Sequence, residues 1–455
     1  MSTAVISGCA AIVIVLFLYF FTLATYYFDN YAIKGMAHHI AIPVFGQEQE
    51  EEEEEEEEEQ LSLPQLNDQA LRIEPFVEGG LFSPTSMIFL DNDTLLVTQK
   101  DNGNVVAIIN GTIKSQPIMS VEVETRATRG LLGITAVEKP PTSTSSDRSK
   151  FVFLYYTELF GQNQVRNRVY RYEWDQENQI LANGTMVLDL PSDPGPGHNG
   201  GKLEVDRNGN VYAIIGDLFR EGQLQNIREG QTAEDSSVII RITEEGSAIQ
   251  DNPFFNSTNK WMQKYYAYGI RNSFGLAIDP ISGVVWDTEN GDESYDEINM
   301  VYPGFNSGWN KIMGPISRSD VEEADLDQEL VVFDGSKYAD PVYSWQEPVG
   351  VTDLEFLNST ALGPKYAYNL FVGDINNGNL YRFELNDNRT GIKFNANDLH
   401  GELADDVADN HEELSQVLFG SGFEGGITDI ETGPDGFLYI LTFNGSIYRI
   451  LPATI

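Results

Sequence analysis

From about Pro75 onward, apolar positions come in short β-branched and aromatic runs broken by Gly, Asn and Asp, with no helix-period stretch of ordinary length. The runs fall into a repeating unit. Met87-Ile-Phe-Leu-Asp-Asn-Asp-Thr-Leu-Leu-Val-Thr opens one copy, and Leu203-Glu-Val-Asp-Arg-Asn-Gly-Asn-Val-Tyr-Ala-Ile repeats its pattern. Leu276-Ala-Ile-Asp-Pro-Ile-Ser-Gly-Val-Val-Trp and Ile430-Glu-Thr-Gly-Pro-Asp-Gly-Phe-Leu-Tyr-Ile-Leu are two more. Each reads as a strand, a tight turn and a returning strand. A third strand often carries an aromatic-Arg pair, as at Tyr170-Arg171, Tyr381-Arg382 and Tyr448-Arg449. Less regular copies begin near Leu131 and Val351, giving six in all. A β-meander that cannot bury both faces alone stacks around an axis, so the expected fold is all-β, a six-bladed β-propeller over residues 69–455. Two β-sandwiches would not explain why the turn recurs up to the C-terminus. Long connections between strands are then expected to build the functional face.

The first part of the chain follows different rules. Ala4 to Phe28 holds no charged residue, enough as a helix to cross a hydrocarbon core of about 30 Å at about 1.5 Å per residue. A cleavable signal would carry Lys or Arg first and a shorter apolar run, so residues 4–28 are expected to be a transmembrane anchor. Lys34 alone supplies nearby positive charge, and orientation is weakly specified. Residues 29–68, with the unbroken run Glu50–Glu59, read as a disordered tether, because adjacent carboxylates repel and cannot pack.

Charge narrows the function. The 455 residues carry 28 basic and 70 acidic side chains, a formal charge of −42, which excludes most nucleic-acid binding. Cys9 is the only cysteine, so no intrachain disulfide or thiolate metal cluster can form, and five histidines leave little room for a multi-His metal site. Seven Asn-x-Ser/Thr triplets follow the tether, at Asn92, Asn110, Asn183, Asn256, Asn358, Asn388 and Asn444. With the anchor, they favour a propeller outside the cytoplasm, at the cell membrane.

Gly195-Pro-Gly-His-Asn-Gly-Gly-Lys202 looks briefly like a phosphate loop, but Pro196 replaces its first Gly and Leu203 cannot hold magnesium. Two other stretches concentrate chemistry. In the first, a strand, an Asn-Gly turn and a returning strand separate His198 from Asp217, bringing both to one end of a blade. A carboxylate beside an imidazole fixes its tautomer and suits it to general-base work, while the flanking glycines leave room for a flat ligand. A histidine merely hydrogen-bonded in a loop fits the pair equally well. In the second, Tyr268-Gly-Ile-Arg-Asn-Ser-Phe-Gly leads to Thr288-Glu-Asn-Gly-Asp-Glu-Ser-Tyr-Asp-Glu-Ile-Asn299 and Pro303-Gly-Phe-Asn-Ser-Gly-Trp309. Its clustered carboxylates suit Ca²⁺, or an ordinary acidic turn, and do not match an EF-hand.

Together, His198-x-Gly-x-Lys-Leu with Gly216-Asp217, Tyr268-Gly-x-Arg271-Asn272, Asp296-Glu297-Ile-Asn299 with Gly308-Trp309, and Gly130-Leu-Leu-Gly133 resemble the soluble quinoprotein glucose dehydrogenases, also called glucose/sorbosone or aldose-sugar dehydrogenases. The resemblance spans about residues 72–452. It implies a six-bladed propeller that holds pyrroloquinoline quinone (PQQ) and Ca²⁺ and oxidises an aldose or related sugar at its C1 hydroxyl. His198 would be the base, Asp217 would orient it, Arg271 would stabilise charge on the quinone oxygen, and Asn272 would help hold the cofactor. Calcium would sit on the backbone carbonyls of Gly291 and Asp292, where the family usually has Pro second. Lys202 and Arg129 are further candidate cofactor-binding cations, with Arg126 and Arg220 also beside pocket-forming motifs.

The chain departs from that pattern where the family places a Lys, here Asn376, and an Arg-x-Arg, here Gly426-Ile-Thr428. Those cations normally face the cofactor's carboxylates. Three lost charge-assisted hydrogen bonds at roughly 1.5–3 kcal/mol each would cost on the order of 10⁴ or more in affinity. A calcium-stabilised binding propeller without quinone, and a lactonase-like metal-dependent hydrolase, are the alternative readings. The anchor suggests a membrane-associated electron acceptor.

Overall fold

The recurring turns work through one device. In Asp91, Asp206, Asp279 and Asp435 a side-chain oxygen accepts the amide hydrogen two residues on, closing an Asx turn that reverses the chain between two strands. Asp206 also accepts from the Asn210 amide, and Gly209 takes the positive φ the return requires. The computed structural model describes residues 63–138, 150–394 and 402–453. They form an all-β propeller of six hydrogen-bonded sheets, with only short helices such as His411–Val417.

The innermost strands are Pro84–Phe89, Leu131–Glu138, Leu203–Val205, Gly275–Ile278, Val351–Phe356 and Ile427–Thr432. They pack side by side in chain order, and the last returns to the first. The ring is closed by mixed parentage: Leu71–Val77, from the N-terminal side, pairs antiparallel with the C-terminal strand Ile447–Pro452. Residues of the expected tether also meet the propeller. Gln65–Leu66 pairs with Gly420 and Ser421, and Asp68 binds Lys365 and the Tyr366 hydroxyl. The expected anchor (4–28) and most of the tether lie outside the described residues. Among the described residues no helix is long and apolar enough to cross a membrane.

Apolar side chains fill the wedges between neighbouring sheets. One such core joins Trp286, Tyr343, Trp345, Phe356 and Phe383, with the Trp286 and Phe356 rings edge to face at 5.7 Å. Each such side chain contributes roughly 1.5–3 kcal/mol by burial. At the hub the strands come too close for any side chain at Gly133, where a Cβ would lie 2.1 Å from the Gly201 carbonyl oxygen.

Alternation along the inner strands aims paired residues at the axis: Lys202 and Glu204, Asp353 and Glu355, Asp429 and Glu431. Lys202 bridges Asp353, at 2.8 Å, and Asp429. Burial opposes its charge, but the two aspartates outweigh that and keep it protonated. One ammonium cannot balance five carboxylates. Burial, reinforced by Glu355, pushes Glu204 up to about 8, and burial pushes Glu355 up to about 7 even though it accepts two bonds from Thr432.

Two expectations follow. Gly133→Val should lower stability to urea by about 1–3 kcal/mol through overpacking at the hub; an unchanged midpoint would contradict this packing. A carboxyl whose folded value exceeds its unfolded value of 4.5 stabilises the fold while protonated. That contribution is present below the unfolded value and is lost as pH rises through the folded one. Thermal stability should therefore fall between about pH 5 and 8, and Glu355→Gln should flatten that fall when melting is followed across the range.

Candidate functional site

The site lies where the chain enters an inner strand and where the neighbouring strand ends. His198 sits in the loop that leads into Leu203–Val205, in the left-handed region at φ 57°. Asp217 follows Val211–Ile215, the strand paired with it, and its backbone N–H is pinned by the Arg271 carbonyl at 2.8 Å. The hairpin brings the two together. His198 Nδ1 lies 2.7 Å from Asp217 Oδ1, an oxygen that also accepts the Phe219 amide at 2.8 Å. Asp217 Oδ2 accepts the Trp309 indole N–H at 2.7 Å. Since a carboxylate only accepts, Nδ1 carries the imidazole proton and Nε2 is left as the basic nitrogen, with no partner among the described residues.

Phe219 packs its ring 4.2 Å from the imidazole centroid and lies across Gly195 and Gly197, where any Cβ would strike it. More than half of Phe219 is exposed, so it caps the glycine loop beside the histidine.

Arg271 is held from both ends. Its backbone N–H donates to Glu289 Oε1 at 2.7 Å, and Glu289 Oε2 accepts from Ser307. Burial pushes that carboxyl up to about 7 against these bonds. The guanidinium lies 5.3 Å from the Trp309 ring centroid, so one tryptophan joins the Asp217 carboxylate to the arginine. Nη1 donates to the carbonyls of Gly291, at 2.6 Å, and Asn290, while Nη2 pairs with Asp292 at 2.7 Å. Nε of Arg271 and Oδ1 of Asn272 are buried without partners. Two orphaned polar atoms on neighbouring residues are what a polar ligand edge would satisfy.

The structure thus assembles His198, Asp217, Arg271, Asn272, Gly291 and Asp292. It does not bring Lys202 or Arg129 to them as free cations. Lys202 is committed to the hub aspartates. Arg129 is buried against Glu124 and the Ser192 carbonyl, where it braces the segment leading to His198. Arg126 also pairs with Glu124, and Arg220 binds Glu234 and the Asp193 carbonyl. Gly426, at φ +82°, could carry no side chain without a Cβ 2.2 Å from the Ile375 oxygen, so this loop has a backbone that forbids an arginine there. Asn376 is exposed, and Thr428 is turned toward the Leu441 carbonyl at 3.4 Å.

The donor set suits the two cofactors unequally. The arginine, the asparagine and the free imidazole nitrogen fit the redox end of a quinone. The Gly291 carbonyl expected for calcium instead accepts from Arg271, and the Asp292 carboxylate is spent on the same guanidinium. No group of three or more acidic, His or Cys side chains among the described residues is disposed to hold a metal ion. Phe219 and the bridging role of Trp309 were not legible beforehand: Trp309 appears in a motif without a role, and Phe219 carries no pattern at all.

Residues 81–449 match the family model described as glucose/sorbosone dehydrogenase. The aldose sugar dehydrogenase YliI of Escherichia coli K12 is 26% identical over 381 residues, covering 83% of this chain and 92% of the relative. The apo-form structure of the soluble E. coli aldose sugar dehydrogenase superposes with a TM-score of 0.62 at 22% identity, over 84% of this chain and 99% of that one. The PQQ-bound form of the Streptomyces coelicolor aldose sugar dehydrogenase gives 0.60 at 20%, over 86% and 99%. With the match spanning most of the propeller and the motifs converging on one site, this chain belongs to the glucose/sorbosone dehydrogenase family.

Proposed function

We propose that this protein is a sugar dehydrogenase that oxidises an aldose or related sugar at its C1 hydroxyl with PQQ as the hydride acceptor. The observation that carries the proposal is the His198–Asp217 pair, which leaves Nε2 unpartnered among the described residues and is joined through Trp309 to Arg271. His198 Nε2 takes the hydroxyl proton, and Asp217 keeps Nδ1–H aligned and stabilises the imidazolium that results. Trp309 and the Phe219 amide hold that carboxylate so that it cannot turn away. Arg271 and Asn272 would hold the quinone, which supplies the two-electron acceptor when bound. Gly291 and Asp292 would hold calcium only once Arg271 gives up the Gly291 carbonyl.

The residues at 376, 426 and 428 favour a second reading, a binding propeller that no longer retains the quinone, because no cation replaces those positions. The charge-free run 4–28 and the acidic tether support membrane anchoring, a propeller outside the cytoplasm and an electron acceptor at the membrane.

The purified protein, supplied with PQQ and Ca²⁺, should reduce a dye in an aldose-dependent way, and His198→Ala should cut that turnover by about 10²–10⁴-fold. Turnover absent at every quinone concentration would overturn the dehydrogenase reading, and an undiminished His198→Ala variant would overturn the base. Asn376→Lys should tighten quinone binding by about 10–100-fold in a spectroscopic titration, one charge-assisted bond restored.

A further inference from the structure

The seven Asn-x-Ser/Thr triplets take no part in the site, and none of their asparagines is drawn into the interior. Eight asparagines among the described residues are buried, from Asn167 to Asn369, and none of them belongs to a triplet. All seven triplet asparagines are exposed. Triplets scattered by chance through an asparagine-rich chain would fall in both environments.

Their placement is also uneven. The first four strands of each sheet, counted outward from the axis, alternate in direction, so the turns between them fall at opposite ends of the propeller in succession. His198 marks the end at which inner strands begin. Asn92 lies in the turn after the first strand of its sheet, and Asn110 lies in the turn after the third. Asn256 and Asn388 follow third strands, and Asn358 follows an inner strand. Asn183 lies near the start of an outermost strand, where Nδ2 donates to Glu173 at 2.8 Å on the open surface. Asn92, Asn110, Asn183, Asn358 and Asn388 therefore sit toward the end away from His198, whereas the loop of Asn256 reaches back to the Ala233 carbonyl, which accepts from Asn259 Nδ2 at 3.2 Å. Asn444, in the turn between Leu438–Thr442 and Ile447–Pro452, shares the end of the catalytic pair.

We infer that the propeller is N-glycosylated at these triplets, with five of the seven glycans toward the end opposite the catalytic mouth. The acceptor is the Asn Nδ2. It forms a bond to the anomeric carbon of a lipid-diphosphate-linked oligosaccharide, the bond from that carbon to the diphosphate oxygen breaks, and the amide gives up one proton as the lipid diphosphate leaves. A branched hydrophilic chain of this kind is tolerated only where the fold leaves its asparagine in solvent, and all seven positions meet that condition. The crowded acidic chain gains a neutral hydrated cover, while sugar entry beside His198 stays clear of those five. The inference rests on the propeller lying outside the cytoplasm and not on the quinone chemistry.

The test uses the full chain made in a eukaryotic cell and recovered in sealed vesicles. Amidase removal of N-linked glycans should increase gel mobility, and removal in heavy-oxygen water should leave labelled aspartate at the modified triplets in peptide mass spectra. Asn92→Gln and Asn358→Gln should each remove one step of the glycan ladder. Unlabelled peptides at all seven sites from a propeller shielded from added protease would overturn glycosylation. A propeller cleaved by protease outside intact vesicles would overturn the outward location and glycosylation with it. Either result leaves the dye-reduction assay free to decide the dehydrogenase reading separately.

Discussion

The carboxylate of Asp217 is the point through which the site is organised. It accepts from the His198 ring, the Phe219 amide and the Trp309 indole, and its own backbone N–H is held by the Arg271 carbonyl. Three different stretches of chain therefore converge on one nearly buried anion. A buried carboxylate is costly unless its lone pairs are met, and here the donors that meet it are also the groups that shape the active end. The histidine is oriented, the arginine is placed under a tryptophan, and the glycine loop is capped by Phe219. Losing that anion would leave each of them without a reference.

Much of this was legible in the sequence because its physics is local. The Asx turns are written as Asp followed by Asn, Gly or Pro at fixed offsets, so the repeat of strand, turn and strand can be counted from the residues alone. The His198–Asp217 pairing was legible for the same reason, since a hairpin brings residues a fixed distance apart in sequence to one end. What sequence spacing could not reach were encounters between distant segments. Lys202 reads as a free cation beside a glycine motif, yet its partners Asp353 and Asp429 come from other inner strands. Trp309 has no periodicity that points to Asp217. The Gln65–Leu66 strand is too short to show alternation.

Electrostatics connects the hub to the site. Lys202 is absorbed by aspartates, and the burial that displaces Glu204 and Glu355 upward favours their protonated forms. The hub therefore exports no positive charge toward the mouth. Arg129 and Arg220 are likewise spent on acids and carbonyls that brace loops. Of the cations assigned to the pocket by sequence, Arg271 alone remains among the reactive groups.

Arg271 is also the most contested group in the molecule. Its guanidinium serves the Gly291 and Asn290 carbonyls, the Asp292 carboxylate and the face of Trp309, yet its Nε has no acceptor. Asp292 is largely exposed, so its ion pair is worth no more than about 1 kcal/mol and yields readily to competition. A dianionic or trianionic ligand would draw the guanidinium off Asp292 at little cost and free the Gly291 carbonyl in the same movement. Anion binding and exposure of the carbonyl pair that suits a hard cation are then two consequences of one side-chain shift. Asp292 supplies the resting anionic partner for that arginine.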